Sequence, residues 1–291
     1  MKDYVIRATG GNGQVRAFVA KTTDLVEEAR KLHETTKVAT AALGRTLTAT
    51  SMMGLMMKNK GDKLTVIIKG GGPIGTILAT ADAKGTVKGY VDNPNVEVEN
   101  YPNGKLNVAA AVGTNGVVKV IKDLGLREPY NGAYPLVSGE IAEDFTHYFA
   151  LSEQTPSVVA LGVLTTGYKV EHAGGLIVQL MPDATEETIS KLEENIGKLS
   201  SITTMMSEGK TPEDMLNIVL DGLNPNILDR CDVKFHCECS KDRVKKALVA
   251  IGKNELQSII EEDKKAEIGC QFCNSNYDYN EEELIEILNE M

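Results

Sequence analysis

The segment CDVKFHCECS at residues 231–240, followed by GCQFCNSN at 269–276, divides this chain into a large front part and a small rear one. Cys237-Glu238-Cys239 and Cys270-Gln271-Phe272-Cys273 are two close cysteine pairs at domain-scale separation. Two such pairs supply the four soft donors of a tetrahedral thiolate site. Zinc is the expected ion, being redox-inert and content with four sulfurs. An iron–sulfur cluster is the alternative, but its usual spacings match poorly. Four unrelated buried cysteines would not fall into pairs by chance. His236 offers an imidazole beside the first pair, yet four cysteines already complete the shell. Cys231 reads as a spare thiol, or as one able to form mixed disulfides.

The CxC half is unusual, since most structural zinc sites use CxxC. Sulfurs sharing a zinc sit about 3.8 Å apart, from Zn–S bonds of about 2.3 Å, whereas a disulfide needs about 2.05 Å. Loss of the metal therefore leaves each close pair near bonding distance. A Cys237–Cys239 bridge would close a small strained ring, and strained bridges are easily reduced. That suits a reversible switch. A unit of about sixty residues is marginally stable alone, while a structural zinc contributes about 10–16 kcal/mol of coupled binding and folding. Oxidation of the thiolates should unfold the rear unit, and whatever leans on it, chiefly the helices of 182–230, would lose a neighbour.

All five cysteines lie after residue 230, which excludes a disulfide-rich secreted scaffold. The chain has 291 residues, enough for about two domains and a sizeable core. With 42% hydrophobic and 25% charged residues it is not disordered. The net charge of −10 argues against generic binding to nucleic acid or anionic membranes. That charge is uneven: net +2 over 1–178, −6 over 179–230 and −6 over 231–291. A compositional boundary near 178 follows. The start carries no apolar targeting core and no stretch reaches the roughly 18 apolar residues of a membrane span, so a cytoplasmic protein with reduced thiols is expected.

The front region reads as a sheet with packed helices. Helices are expected over Thr22–His33, with Asp24 and Glu27 spaced like a capping box, and over Val38–Lys58. Strands are expected at Leu64–Lys69, Thr86–Asp92, Leu106–Val112, Val117–Lys122, Ser157–Thr165 and Leu176–Met181. Gly70-Gly71-Gly72-Pro73-Ile74-Gly75 lacks a Walker lysine and reads as a tight turn. Residues 182–230 form two or three short amphipathic helices, with stripes Ile189/Leu192/Ile196/Leu199 and Met215/Leu216/Val219/Leu220. Thr211-Pro212 is a strong helix start. In the rear unit Ser240 caps a helix to Ile251, Asn254 opens another to Glu262, and Asn280/Glu283 begin the last. The fold class is α+β: a sheet-and-helix core domain over 1–178, an amphipathic helical linker over 179–230, and a small zinc-binding domain over 231–291.

These residues carry a resemblance. Phe235-His-Cys237-Glu-Cys239-Ser240 with Cys270-Gln-Phe-Cys273, Ser138-Gly-Glu-Ile-Ala-Glu-Asp144, Ser152-Glu-Gln-Thr-Pro-Ser157 and Ala173-Gly-Gly-Leu-Ile-Val-Gln-Leu-Met-Pro182 resemble the bacterial redox-regulated 33 kDa heat-shock chaperones across the whole chain. The resemblance implies an ATP-independent holdase for unfolding proteins, not an enzyme. It implies one zinc on Cys237, Cys239, Cys270 and Cys273 in a reduced, inactive state. It implies that oxidation gives Cys237–Cys239 and Cys270–Cys273 disulfides, zinc release, unfolding of the rear regions and a homodimer. Cys231 departs from the minimal four-cysteine pattern.

Client-binding candidates are the two linker stripes and Met52, Met53, Met56 and Met57, which share one side of the expected helix. Methionine there ordinarily means core packing; the sharper reading is an adaptable surface for varied clients. Lys241, Arg243, Lys245 and Lys246 make a basic helix face expected to offset the thiolates. Two rival functions remain: a zinc-ribbon nucleic-acid-binding protein, which the rear unit's acidity disfavours, and a thiol oxidoreductase using Cys270–Cys273. Ser138, Ser152 and His147 show no triad pattern.

Overall fold

The computed structural model describes residues 2–291. The chain forms two compact units, one ending at His236 and the other spanning Cys237–Met291. In order, the first unit contains β1 (Tyr4–Gly10), β2 (Val15–Lys21), α1 (Thr23–His33), α2 (Lys37–Leu55), β3 (Lys63–Lys69), β4 (Thr76–Asp82), β5 (Thr86–Val91), α3 (Val108–Val112), β6 (Val117–Asp123) and β7 (Tyr130–Pro135). It continues with α4 (Ala142–Leu151), β8 (Ser157–Thr166), β9 (Lys169–Leu180), α5 (Glu186–Ile196), α6 (Ile202–Ser207), α7 (Pro212–Val219), β10 (Asn226–Asp232) and β11 (Lys234–Phe235).

Helix α2 is the axis of this unit. Every residue from Val38 to Leu55 is buried except Arg45, the pattern of a helix enclosed on all sides. Its threonines are accommodated because Thr46, Thr48 and Thr50 donate to the carbonyls of Ala42, Gly44 and Thr46 at 2.7–2.9 Å. Gly44 is required by close packing: a Cβ there would meet Val26 Cγ1 at 2.6 Å. Two sheets flank the helix. One, in the order β11-β5-β4-β3-β6-β7, is antiparallel apart from the parallel β11–β5 contact. The other is antiparallel, in the order β10-β1-β2-β9-β8.

The second sheet is apolar on both faces, because residues alternate sides along a strand. Val5, Phe18, Ala20 and Ile177 join the α2 core. Tyr4, Ile6, Ala17, Val19, Leu176 and Val178 form a separate core with α5, α6 and α7. Leu192, Met215, Leu216, Val219 and Leu220 are buried there, and Ile196 and Leu199 pack at its margin. The apolar faces of the 182–230 helices thus rest on the front sheet, not on the rear unit as expected. The physical reason is the sheet's second apolar face, which these helices cover together with Leu223. Their termini follow the sequence: Thr211 and Asp214 form a reciprocal capping box.

Two local expectations are corrected. Leu106–Val112 is not a strand; Asn107 Oδ1 accepts from Ala110 N–H at 2.9 Å and caps the alanine-rich α3. Asp24 and Glu27 form no capping box. Glu27 instead pairs with Arg30 at 2.8 Å and accepts from Val170 N–H, while Asp3 accepts from Leu25 N–H at 2.7 Å in the first turn of α1. The sequence reading places no strand at β1, β2, β4, β7, β10 or β11. The Gly70–Gly75 segment is a turn, as expected, and Gly70 and Gly72 lie against the backbone of Val112 and Gly113 where no Cβ fits.

Acidic residues near 140 serve structure. Asp144 is fully buried and accepts from the amides of Val137, Ser138, Gly139 and Ile141 at 2.8–3.3 Å. Glu140 binds Arg45, Tyr101 and the Ala109 amide.

The second unit contains α8 (Lys241–Ile251), α9 (Lys253–Glu262), β12 (Lys265–Gly269), β13 (Asn276–Asn280) and α10 (Glu281–Glu290). Its core is small: Leu248, Leu256, Ile260, Tyr279, Leu284 and Ile287.

Candidate metal centre

Two backbone devices present the four cysteines. Residues 235–240 alternate between half-buried and exposed, as an extended segment does. A CxC spacing therefore turns Cys237 and Cys239 to one side and Glu238 to the other. Ser240 then caps α8 by accepting from Arg243 N–H at 3.3 Å, which ends the segment. Cys270 and Cys273 lie in the connection between β12 and β13. There Cys270 N–H donates to Ser275 O at 2.9 Å, and the amides of Cys273 and Asn274 donate to Cys270 O at 3.2 and 2.7 Å. Asn274 adopts φ 54°, one of the few side chains that tolerate that region. The turn holds both sulfurs on its inner side.

All four Sγ atoms lie within 4.8 Å of one another. Cys237 and Cys270 approach to 3.7 Å, and Cys239 and Cys273 to 3.1 Å. Both separations lie below the edge of about 3.8 Å expected for sulfurs around one tetrahedral ion with bonds of about 2.3 Å, and the set as a whole is compact enough to share one ion. Four converging thiols, with no carboxylate or imidazole among them, form a donor set suited to zinc. His236 stays outside, its amide donating to Val87 O at 2.9 Å as the chain leaves β11. Cys231 also lies outside, on β10 opposite Val5, with its thiol 3.4 Å from Asp229 Oδ1.

Two hydroxyls that the sequence did not single out touch the sulfurs. Tyr277 donates to Cys239 Sγ at 3.0 Å, and Ser275 Oγ lies 3.3 Å from Cys273 Sγ. Their signal was positional: both fall within four residues of Cys273. Burial pushes the Cys273 thiol up, but Ser275 and Cys239 outweigh it and bring it down to about 7. Burial holds Cys239 above the usual thiol range. The bond to Cys239 lifts Tyr277 to about 12.

The basic face of α8 does not serve as expected. Lys241 pairs with Glu283 at 2.5 Å, Arg243 with Glu238 at 3.2 Å and Lys245 with Glu290 at 2.6 Å. Acidic side chains of the unit itself engage these cations, so Lys241, Arg243 and Lys245 offset carboxylates, not sulfur. The stacked Lys241 also places its ammonium over the Tyr279 ring.

The other candidates are distributed as follows. Met52 and Met53 are sealed in the α2 core, at 0% and 2% exposure, and present no surface in this state. Met56 and Met57 are half-buried past the end of α2. Ile189 is half-buried on α5, while the rest of the linker stripes face the sheet. Among the described residues, no helix is long and apolar enough to cross a membrane.

Comparison with known proteins agrees with this architecture. The family model of the Hsp33 protein matches residues 3–280. The chain is 80% identical to the 33 kDa chaperonin of Clostridioides difficile (strain 630) over the full length of both. It is 52% identical to that of Alkaliphilus metalliredigens (strain QYMF), again over both whole chains. The crystal structure of the 33 kDa chaperonin, or heat shock protein 33 homolog, of Thermotoga maritima superposes with a TM-score of 0.92 at 36% identity. That match covers 100% of this chain and 99% of the other. An α+β unit wrapped on a buried helix, a small unit bearing four converging cysteines, and full-length similarity in sequence and fold together place this chain in the Hsp33 family of chaperones.

Proposed function

We propose that this chaperone is an ATP-independent holdase governed by the redox state of its four-cysteine centre. The observation that carries the reading is the placement of that centre in a unit with only six buried core side chains. One zinc ion on Cys237, Cys239, Cys270 and Cys273, when bound, cross-links the two segments and supplies most of the unit's stability. In that reduced state the protein is inactive.

Oxidation joins Cys237 to Cys239 and Cys270 to Cys273. Each bridge takes two thiolates, one hydrogen peroxide and two protons, and yields a disulfide and two waters. The sulfurs then cease to be thiolate donors, and Cys237–Met291 unfolds. Release of α5–α7 from the sheet uncovers Leu192, Met215, Leu216, Val219 and Leu220 together with the sheet face beneath them. This joint surface is the proposed site for unfolded clients, and the active form is a homodimer in the cytoplasm. Connectivity supports the coupling: α7 leads directly into β10 and β11, and β11 ends two residues before Cys237.

The test follows aggregation of a thermally unfolding client by light scattering, with reduced and with peroxide-treated protein, while a chromogenic chelator reports zinc release. Protection only after oxidation, in step with zinc release, is expected. Equal protection in both states would refute the switch.

A further inference from the structure

A cleft of about 420 Å³ lies in the first unit, within the size range of small-molecule sites. Met56 and Met57, after α2, line it together with Met181 and Leu228, and the β1–β2 hairpin supplies Arg7 and Arg16. Lys58 stands at the rim. Among the described residues no acidic side chain lines it, in a chain whose net charge is −10.

The three cations are not equivalent. Arg7 is engaged, 3.4 Å from Asp229 and 3.5 Å from the Leu55 carbonyl. Arg16 is half-buried, and its Nε donates to Gln179 Oε1 at 2.8 Å, a neutral acceptor. Among the described residues no carboxylate lies within ion-pair distance of Arg16. Glu153 acts on it only from farther off and is itself held by Lys122 and Tyr148. Burial accordingly lowers the Arg16 pKa. Lys58 is exposed, and among the described residues no carboxylate lies within ion-pair distance of it. A half-desolvated guanidinium without a counter-ion is costly to keep. Its planar fork matches a carboxylate in two parallel hydrogen bonds. The thioether wall beside it is flexible and fits an irregular hydrocarbon chain.

We propose that this cleft binds a medium-chain carboxylate, its head group on Arg16 and Lys58 and its hydrocarbon tail against Met56, Met57, Met181 and Leu228. The site is separate from the cysteine centre and independent of the redox reading.

Full-length, reduced, metal-loaded protein labelled with carbon-13 at its ten methionine methyl groups is titrated with decanoate below its micelle concentration. Decanol and decyltrimethylammonium are the neutral and cationic controls. Saturable shifts are expected at Met56, Met57 and Met181, with Met205, Met206 and Met215 of the linker core unmoved. Both controls should bind at least about tenfold more weakly. Arg16→Gln should weaken decanoate about tenfold. Lys58→Gln, at an exposed position that the fold does not depend on, should weaken it about threefold. Non-saturating shifts, shifts spread over all methionines, equal affinity for the cationic control, or unchanged affinity in both variants would each overturn the proposal. Tighter binding of an acidic apolar peptide at the same methionines would also overturn it, identifying the occupant as polypeptide.

Discussion

Removing the metal from the reduced protein should unfold Cys237–Met291 and leave the α2 core of the first unit intact. The magnitude follows from the size of the second unit. A single core of about six side chains in a domain this small supplies at most about 3–5 kcal/mol of net stability. Coupled binding of a structural zinc contributes about 10–16 kcal/mol near pH 7. Most of the folding free energy therefore resides at the four sulfurs, and the remaining ion pairs are exposed and add little. Hydrogen exchange read by mass spectrometry after chelation is the direct assay. Peptides covering α8, α9, the β12–β13 hairpin and α10 should lose protection to near the level of an unfolded chain. Peptides covering α2, which is buried on every side, should keep theirs, because no metal ligand lies in that unit. Retained protection of Cys237–Met291 after stoichiometric metal loss would refute the reasoning.

Other outcomes test separate links. Leu216→Ala empties a fully buried site between α7 and the sheet; it should cost about 2–5 kcal/mol and raise binding of a hydrophobic dye by the reduced protein. Asp144→Asn replaces one acceptor oxygen of a buried carboxylate that serves four amides; denaturant unfolding should show a loss of about 2–4 kcal/mol. Metal uptake by the reduced protein should weaken as pH falls. Cys273 takes up its proton as pH drops through about 7, and Cys239, held above the usual thiol range, is protonated at higher pH still. Each bound proton must be displaced by the metal, so competition with a chelator of known affinity should show binding strengthening from pH 6 to 9. Arg243→Gln breaks a pair with Glu238 that is exposed on both sides; it should change stability by less than about 1 kcal/mol and leave metal affinity nearly unchanged, since the guanidinium serves a carboxylate.

Much of the site was legible because it is local. The paired spacing of Cys237/Cys239 and Cys270/Cys273 needs only an extended segment and a tight turn, and both are written in nearby residues: Ser240 as a cap, Gly269 and Asn274 around the turn. The helices of the second unit were legible for the same reason, since Ser240, Asn280 and Glu283 act on amides three residues away. Eight strands, β1, β2, β4, β7 and β10 to β13, are not legible in the sequence. In β1 and β2 both faces of the sheet are covered, so apolar residues occupy successive positions and the two-residue period disappears. Leu106–Val112 misled in the opposite direction: its apolar content suggests a strand, but Asn107 and three alanines favour a helical turn.

The sequence by itself determined that four thiols would come together in a small rear unit, and that residues 182–230 would form amphipathic helices. Those features depend on neighbours within a few positions along the chain. The tertiary structure decided what covers each apolar face. It buried Met52 and Met53 around α2, set α5–α7 on the outer face of the β1–β2–β9 sheet, and turned the α8 cations toward Glu238, Glu283 and Glu290. Such pairings, apart from that of Arg243 with Glu238, join residues tens to hundreds of positions apart, and an apolar stripe alone does not specify its partner. Burial is non-directional; the partner is chosen by whichever complementary face the folded chain brings within reach.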